Sequence, residues 1–315
     1  MDNEFAITIC FITARVAQFA SCLLLLGACV FDRIVIGTDL RRESSVVARF
    51  SSKTIARMIP AALLMAVVSG AIWFVMVAVA MSDLPLRQAM RPHVIELVWS
   101  HTQFGRLWQL RSIFWITTAV TEAISWVAAK ASMRRAMIWP KIIFAAALLG
   151  SLAWSGHGRD GERAQWHLLA DAGHLIVAAA WPTGLLPFGM LIYALRGSAE
   201  GARQGLLVKI TRRFSTMSLI SVALLAASGI VNSCYLLESV SSLVRTPYGR
   251  TLLVKIILFL LMVALGAINL LWLKPRLDKS DSTTAGKLQW TVGAEFILGI
   301  AVVIVVAILG TLPPG

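Results

Sequence analysis

The chain has 315 residues, of which 58% are hydrophobic, and its mean hydropathy is +0.77. This composition excludes a soluble globular protein, because so much apolar surface requires lipid as its solvent. The formal net charge is +13. Attraction of Lys and Arg to anionic membrane lipid accounts for that charge, so we do not expect a nucleic-acid partner.

Eight stretches of the chain are long and apolar enough to span a bilayer, since a spanning helix needs about 20 such residues. They lie at about 6–31, 56–81, 106–128, 137–155, 166–195, 213–237, 252–273 and 288–311. The connections between them are too short for a soluble domain. We therefore predict an all-α fold, a polytopic bundle of eight transmembrane helices that forms a single integral membrane domain over 1–315. The first run is too long for a signal-peptide core and follows acidic residues, so we expect a retained span.

The distribution of positive charge predicts the orientation of these spans. Of the 29 Lys and Arg residues, 18 lie in or beside the loops that follow the odd-numbered spans, and 7 lie on the other side. By the positive-inside rule, both termini are then periplasmic. This topology puts all five histidines in outer loops or at the outer ends of spans.

The run WHLLADAGHL, from Trp166 to Leu175, places two histidines and an aspartate on one stripe of a helix. His167, Asp171 and His174 have spacings of four and seven residues, which return to nearly the same helix face. Imidazoles beside a carboxylate are typical of a metal site, and ionisable groups within a membrane span indicate function. The alternative is a polar stripe that makes hydrogen bonds between helices. The two histidines are about 10 Å apart along the axis, so the helix opens locally or the site has two ions or two successive stations.

Other histidines lie near the same outer side. His157 stands between two glycines in WSGHG, where the backbone is free to turn the ring towards His167, and we count it as a fourth candidate ligand. A solvated loop histidine is the alternative. Weaker, secondary candidates for a metal entry funnel are His93, His101, Met81 and Met90.

A path for the ion is predicted below the histidines. Trp181 and Pro182 lie deeper on the fifth span, where proline frees a carbonyl and kinks the helix, as in many transporters. A simple packing kink is the alternative. Arg15 on the first span is a candidate counter-ion of Asp171, or a snorkelling arginine. Glu122 and Glu295, towards the inner side, are either ion-exit groups or interfacial charges.

The sequence contains neither a Walker A pattern nor an aspartyl-phosphate motif, and we do not expect an enzyme. Its four cysteines show no metal-ligand spacing and are interpreted as small buried hydrophobic residues. A disulfide between Cys10 and Cys234, both near the outer side, is left open.

Five segments in combination resemble the CopD (PcoD) family of copper-resistance proteins from bacterial inner membranes. They are TQFGRLWQLR at 102–111, SGHG at 155–158, HLLADAGHL with Trp181 and Gly184, RRFSTMSLISVALLAASGIVNS at 212–233, and TPYGRTLLVKI at 246–256. The resemblance covers about 100–276, the CopD-like core. His157, His167, Asp171 and His174 match the family's motif positions one by one. The chain departs from the family at Thr183, where a second glycine is usual, and at Gly158, where alanine is usual.

The resemblance implies copper handling across the inner membrane, often with a small periplasmic copper-binding protein of the CopC type as partner or fused domain. We expect no fused CopC-like domain here, because the sequence starts directly with the first span. The predicted function is uptake of copper, Cu(I) or Cu(II), at a periplasmic histidine-rich site and its transport across the membrane. The alternatives are a haem-binding membrane cytochrome for electron transfer and a non-transporting copper assembly factor or sensor.

Overall fold

A computed structural model describes residues 2–155, 164–195, 200–237, 239–277 and 283–313. Within these ranges every regular element is helical, as predicted. The ten helices of ten or more residues are α1 (Asp2–Val30), α2 (Ala56–Ser82), α3 (Pro92–His101), α4 (Gln103–Val127), α5 (Ile138–Gly150), α6 (Ala164–Ala180), α7 (Leu185–Leu195), α8 (Glu200–Leu236), α9 (Pro247–Ile268) and α10 (Thr284–Leu309).

Shorter helical segments join or extend these ten helices. Six are short α-helices, namely Gly37–Glu43, Ser45–Phe50, Leu86–Ala89, Ala131–Ala136, Ser242–Arg245 and Lys274–Leu277. Three are π-helical, namely Phe31–Ile36, Ser51–Ile55 and Asn269–Leu273, and Ser151–Ser155 is a 3₁₀ turn. Several long apolar stretches therefore continue past the ends of their main helices.

Seven helical stretches in the described residues are long and apolar enough to cross a membrane. They are Phe5–Glu43, Ser45–Ser82, Ser132–Ser155, Gln165–Leu195, Gln204–Leu236, Pro247–Leu277 and Thr284–Leu309. The one predicted span that is not among these seven is the third in the chain, 106–128, which corresponds to α4. This helix has 25 residues but carries Arg106, Arg111 and Glu122, so it is less apolar than the others. Its crossing of the membrane stays a prediction.

Helix α1 lies at the centre of the bundle. It packs most extensively against α2 and also contacts α5, α6 and α10. The second half of the chain is built on two further pairs, α6 with α8 and α9 with α10. The buried side chains around these contacts form one large apolar core that includes Trp73, Trp108 and Trp181. Helix α1 therefore joins the two halves of the chain.

Two Thr-x-x-Gly segments start α4 and α9 in the same way. The Thr102 hydroxyl accepts a hydrogen bond from the backbone N–H of Gly105 at 2.9 Å, and Thr246 does the same for Gly249. Both are N-caps, which satisfy a free amide of the first turn. A Cβ on either glycine would lie about 2.2 or 2.1 Å from a carbonyl oxygen of the preceding short helix. Glycine is thus required for each short helix to pack on the next one.

Ion pairs join the segment after α1 to the start of α8. Lys209 Nζ lies 2.5 Å from a carboxylate oxygen of Glu43, and Arg213 pairs with Asp39. Two of the basic segments that the sequence puts on one side of the membrane therefore lie at the same end of the bundle. The assignment of that end to the cytoplasm stays a prediction.

Candidate metal site between two helices

The predicted stripe on α6 faces a second polar stripe on α8. His174 Nδ1 lies 2.7 Å from Ser228 Oγ, and the Asn232 amide donates to Asp171 Oδ1 at 3.3 Å. The third pair consists of the rings of His167 and Tyr235, whose centroids are 5.2 Å apart. The pairing runs in opposite directions along the two helices, and the seven residues from His174 to His167 face the seven from Ser228 to Tyr235. We call these three pairs the α6–α8 ladder.

The hydrogen bonds of His174 determine which ring nitrogen can bind a metal. Ser228 Oγ donates to the backbone carbonyl of Leu224 at 2.6 Å. A serine hydroxyl has one proton, so Nδ1 of His174 is the donor in its bond to Ser228. The neutral ring then has its lone pair on Nε2. Histidines that bind metals usually donate their other N–H to a second group in this way.

Two buried atoms of the ladder have no hydrogen-bond partner among the described residues. They are Nε2 of His167 and Oδ1 of Asn232. His167 is only 6% exposed, so bulk water does not supply the missing bond. Buried polar atoms without partners are uncommon and point to an ion or water. A nitrogen and an oxygen are both acceptable ligands for copper.

Lys255 is the cation that acts on this site, and the predicted partner Arg15 lies elsewhere. Lys255, on α9, interacts electrostatically with both Asp171 and His174. Arg15 is 5% exposed and stacks on the Trp73 ring, with 4.9 Å between its Cζ atom and the ring centroid. Its Nη2 also approaches Gly310, at the end of α10. Within the described residues no ion pair joins the candidate counter-ion Arg15 to Asp171, since depth in the membrane does not determine which way a side chain points.

The described residues contain no group of three His, Cys, Asp or Glu side chains close enough to hold one metal ion. His157 lies outside the described residues. Whether one ion or two successive stations use His167 and His174 stays a prediction. Opposite these histidines α8 presents Ser228, Asn232 and Tyr235, so these two helices do not supply the facing histidine pair of a b-type haem.

The secondary candidates occupy a different part of the bundle. His93 and His101 are exposed on α3, which packs on α2 and α4. Met81 and Met90 are 53% and 56% exposed near the same helix. Within the described residues these side chains form no ligand cluster with the α6–α8 ladder.

The fifth predicted span is interrupted where its proline predicts a kink. Helix α6 ends at Ala180, residues 181–184 form a turn, and α7 begins at Leu185. In this turn the Trp181 indole N–H donates to Glu295 Oε1 on α10 at 2.7 Å. Asn269, at the start of the π-helical segment after α9, donates to the other carboxylate oxygen at 3.2 Å. Glu295, which is 2% exposed, therefore connects two irregular helices.

Thr183 fits into the turn because α1 provides a glycine opposite it. The Thr183 hydroxyl donates to the carbonyl of Ala179 at 2.6 Å. A Cβ on Gly27 would lie 2.1 Å from this hydroxyl oxygen and 2.5 Å from the Ala179 carbonyl oxygen. The absence of a side chain at Gly27 thus leaves room for Thr183 where α1 approaches the break.

Sequence analysis missed the α8 half of the ladder. Its signal is the repeat of four- and seven-residue spacings by Ser228, Asn232 and Tyr235 in an otherwise apolar helix.

The cysteine interpretation is confirmed for Cys22 and Cys29, which are buried. It is wrong for Cys10 and Cys234, which are exposed free thiols, so the disulfide left open between them is not formed in this structure.

A helical bundle with apolar spans and a polar ladder between two of its helices defines a class, the polytopic membrane proteins with ionisable groups inside the bundle. Residues 6–168 match the family model of the copper resistance protein D-like N-terminal domain, and residues 208–309 match that of copper resistance protein D. The first match alone covers more than half of the chain. The chain belongs to the copper resistance protein D family and is a multi-pass protein of the inner membrane.

Similar proteins include copper resistance protein D of Pseudomonas syringae pv. tomato, 28% identical over 311 residues that cover 96% of each chain. The copper transport protein CutJ of Bacillus subtilis is 30% identical over 71% of this chain and 40% of its own length. Inner membrane protein YebZ of Escherichia coli is 29% identical over 68% of this chain and 70% of its own. Among solved structures, bd oxidase from Geobacillus thermodenitrificans superposes with a TM-score of 0.71 over 99% of this chain and 87% of that chain. At 9% identity this likeness shows the fold alone.

Proposed function

We propose that this protein binds copper ions at the α6–α8 ladder and transports them across the inner membrane from the periplasmic side. The observation that carries the proposal is the state of the two histidines. His174 Nδ1 lies 2.7 Å from Ser228 Oγ, and the tautomer that donates there keeps its lone pair on Nε2, while Nε2 of His167 is buried without a hydrogen-bond partner in the described residues. Membership in the copper resistance family supports copper as the transported ion. Imidazole is a suitable ligand for Cu(II), and also for Cu(I) when softer ligands bind the ion as well.

The two histidines serve as successive stations in this proposal. His157 and His167 receive copper at the mouth, and Asp171 and His174 hold it deeper in the bundle. Asp171 either binds the ion or orients an imidazole, and its negative charge compensates part of the charge of the cation. Lys255 opposes this effect, because its positive charge acts on the same two side chains. A periplasmic protein of the CopC type is the proposed copper donor.

The path below the stations passes the break between α6 and α7. Trp181 and Pro182 form this break, and Glu295 is the carboxylate next to it. Broken helices beside an ion path are a recurrent feature of membrane transporters. The charge of a buried carboxylate is costly in lipid, which favours a role in passing a cation. The proposal contains no catalytic step.

Copper titration of the detergent-purified protein tests the binding half of the proposal. The double variant His167→Ala,His174→Ala should lose high-affinity binding, because both proposed stations lose their imidazole. The matched control is His93→Ala,His101→Ala, which also removes two histidines and should bind copper as the parent does. Equal copper stoichiometry and affinity in the parent and the His167→Ala,His174→Ala protein would contradict the metal site. The polar stripe on α6 would then only make hydrogen bonds between helices. A Soret band on the purified protein would support the cytochrome alternative instead.

A further inference from the structure

A basic cavity lies at the opposite end of α4 from its N-cap and is independent of the ladder. Its volume is about 580 Å³, and it is bounded by the end of α4, the start of α5 and the segments that connect α1 to α2. This volume lies within the range typical of ligand pockets. Six Lys and Arg residues but only two acidic residues line it, namely Arg33, Arg41, Arg42, Arg134, Arg135 and Lys141 against Asp32 and Glu122.

Both acidic residues of the cavity are already paired. Asp32 accepts from Arg41 at 2.6 Å and from the Ser51 hydroxyl at 2.7 Å. Glu122 lies 2.5 Å from Lys141 Nζ, and the pair is buried between α4 and α5. Two of the six basic side chains are therefore neutralised within the protein.

The other four basic side chains form no ion pair within the described residues. Arg33 stacks on the Trp139 ring, with 5.1 Å between its Cζ atom and the ring centroid, and Arg134 donates to the Ala128 carbonyl at 2.7 Å. These contacts orient the two guanidinium groups without neutralising them. Arg42 and Arg135 are exposed beside them. The cavity thus has four unneutralised positive charges, which favours an anionic occupant.

The walls of the cavity indicate the kind of anion. Ile55 at the end of the segment that leads into α2, Ile59 in α2 and Ile138 in α5 make one side of the cavity apolar, although Ile55 and Ile59 are themselves buried in the core. Trp126 and Trp139 are 63% and 53% exposed at its rim. Tryptophans of this kind lie at the headgroup level of membranes, and basic pockets between membrane helices bind anionic headgroups. A soluble phosphate compound would gain nothing from these exposed indole rings, whereas the acyl chains of a phospholipid would pack against them.

We propose that this cavity is a specific binding site for an anionic phospholipid, whose phosphodiester contacts Arg33, Arg42, Arg134 and Arg135 and whose chains pack against Trp126 and Trp139 at the rim. The site is separate from copper binding, and it stands or falls independently of the proposed transport. It differs from a diffuse basic belt because its four unneutralised charges line one cavity, so that loss of charges elsewhere at the same end should not affect it.

Lipid binding to the full-length protein in detergent micelles, measured by native mass spectrometry, tests the site. The experiment compares the binding of phosphatidylglycerol with that of phosphatidylcholine and uses inorganic phosphate as a competitor. We expect phosphatidylglycerol to bind at least about tenfold more tightly than phosphatidylcholine, since each basic side chain contributes to anion binding. We also expect millimolar inorganic phosphate to leave the bound lipid in place. Equal binding of the two lipids, or displacement of phosphatidylglycerol by phosphate, overturns the proposal, and neither comparison needs a variant.

A pair of matched variants locates the site. Arg42→Gln,Arg135→Gln removes two exposed charges of the cavity and should weaken phosphatidylglycerol binding by about tenfold or more. The control Arg212→Gln,Arg276→Gln removes two exposed charges that the charge distribution puts on the same side of the membrane but that do not line the cavity, and it should bind the lipid as the parent does. Equal losses in the two variants would indicate a diffuse belt and would contradict a specific site.

Discussion

The ring of His174 is held in a chain of hydrogen bonds that begins with its own N–H and ends at a helix carbonyl. Nδ1 donates to Ser228 Oγ, and Ser228 donates to the Leu224 carbonyl. The chain fixes both the tautomer and the orientation of the ring, because each group has a single proton to donate. Ser228 therefore has the function of an orienting residue in our account, although it need not touch the ion.

The variant Ser228→Ala tests this function. It removes the acceptor for Nδ1 but leaves the imidazole in place, so copper stoichiometry should be unchanged. Affinity should fall by about 10- to 100-fold, as is typical when a group that orients a metal ligand is lost. The measurement is a copper titration of the purified protein.

Ser221→Ala is the matched control. Ser221 is a buried serine of the same helix α8, and its hydroxyl donates to the Met217 carbonyl just as the Ser228 hydroxyl donates to Leu224. We expect copper affinity at the parent level in this variant. If Ser228→Ala and Ser221→Ala both bind copper as the parent does, the hydrogen bond to His174 has no part in binding.

The break between α6 and α7 is the element that connects the ladder to the rest of the bundle. Pro182 lies about two helical turns below His174 at 3.6 residues per turn. Pro182→Ala restores the backbone N–H that an unbroken helix needs. Copper binding should stay near the parent level while copper flux falls. A parallel loss of binding and flux at normal protein levels would instead make the break part of the binding site.

Packing of α1 against this break predicts the cost of a single methyl group. In Gly27→Ala the new Cβ would meet the Ala179 carbonyl oxygen at 2.5 Å, and a backbone atom cannot rotate away. Overpacking of this kind costs about 1–3 kcal/mol. Thermal unfolding in detergent should therefore begin at a lower temperature. Gly293→Ala on α10 is the control, since nothing lies within 4 Å of its Cβ position; an unchanged transition in Gly27→Ala contradicts the close approach.

The stripe on α6 was predictable, and its surroundings were not. Periodicity fixes which residues share a helix face, and this is sufficient for His167, Asp171 and His174. It does not reveal which helix lies opposite, so Asn232 and Ser228 were not assigned to the site. Arg15 failed as a partner of Asp171 for the same reason. Its guanidinium stacks on Trp73 instead, a contact that depends on the rotation of α1 against α2.

At the scale of the whole molecule, the length of the apolar stretches was enough to predict a helical bundle. The number of membrane spans, by contrast, depends on whether α4 is counted. Seven stretches meet the requirement by length and composition. Helix α4 contains buried Arg111 and Glu122, which lower its hydropathy. Arg111 donates to Ser151 and Ser155, and Glu122 pairs with Lys141. Contacts between helices thus compensate charges that a sequence window counts only as polar.

The predicted orientation can be tested with a pair of single cysteines at opposite ends of the bundle. The background is a protein in which the exposed Cys10 and Cys234 are replaced by serine. A membrane-impermeant maleimide should label Arg87→Cys in intact cells and Gly286→Cys only after lysis, because the positive-inside rule puts the start of α10 in the cytoplasm. The reverse labelling pattern would invert the topology and place the ladder histidines on the cytoplasmic side.

The central claim is that copper crosses the membrane by way of the α6–α8 ladder. Copper flux into sealed proteoliposomes tests this claim most directly. The parent protein and His93→Ala,His101→Ala should both move copper faster than empty liposomes. His167→Ala,His174→Ala, reconstituted at the same density, should move it no faster than empty liposomes. Parent-level flux in the His167→Ala,His174→Ala protein would contradict the claim, and so would a parent protein that binds copper but moves none.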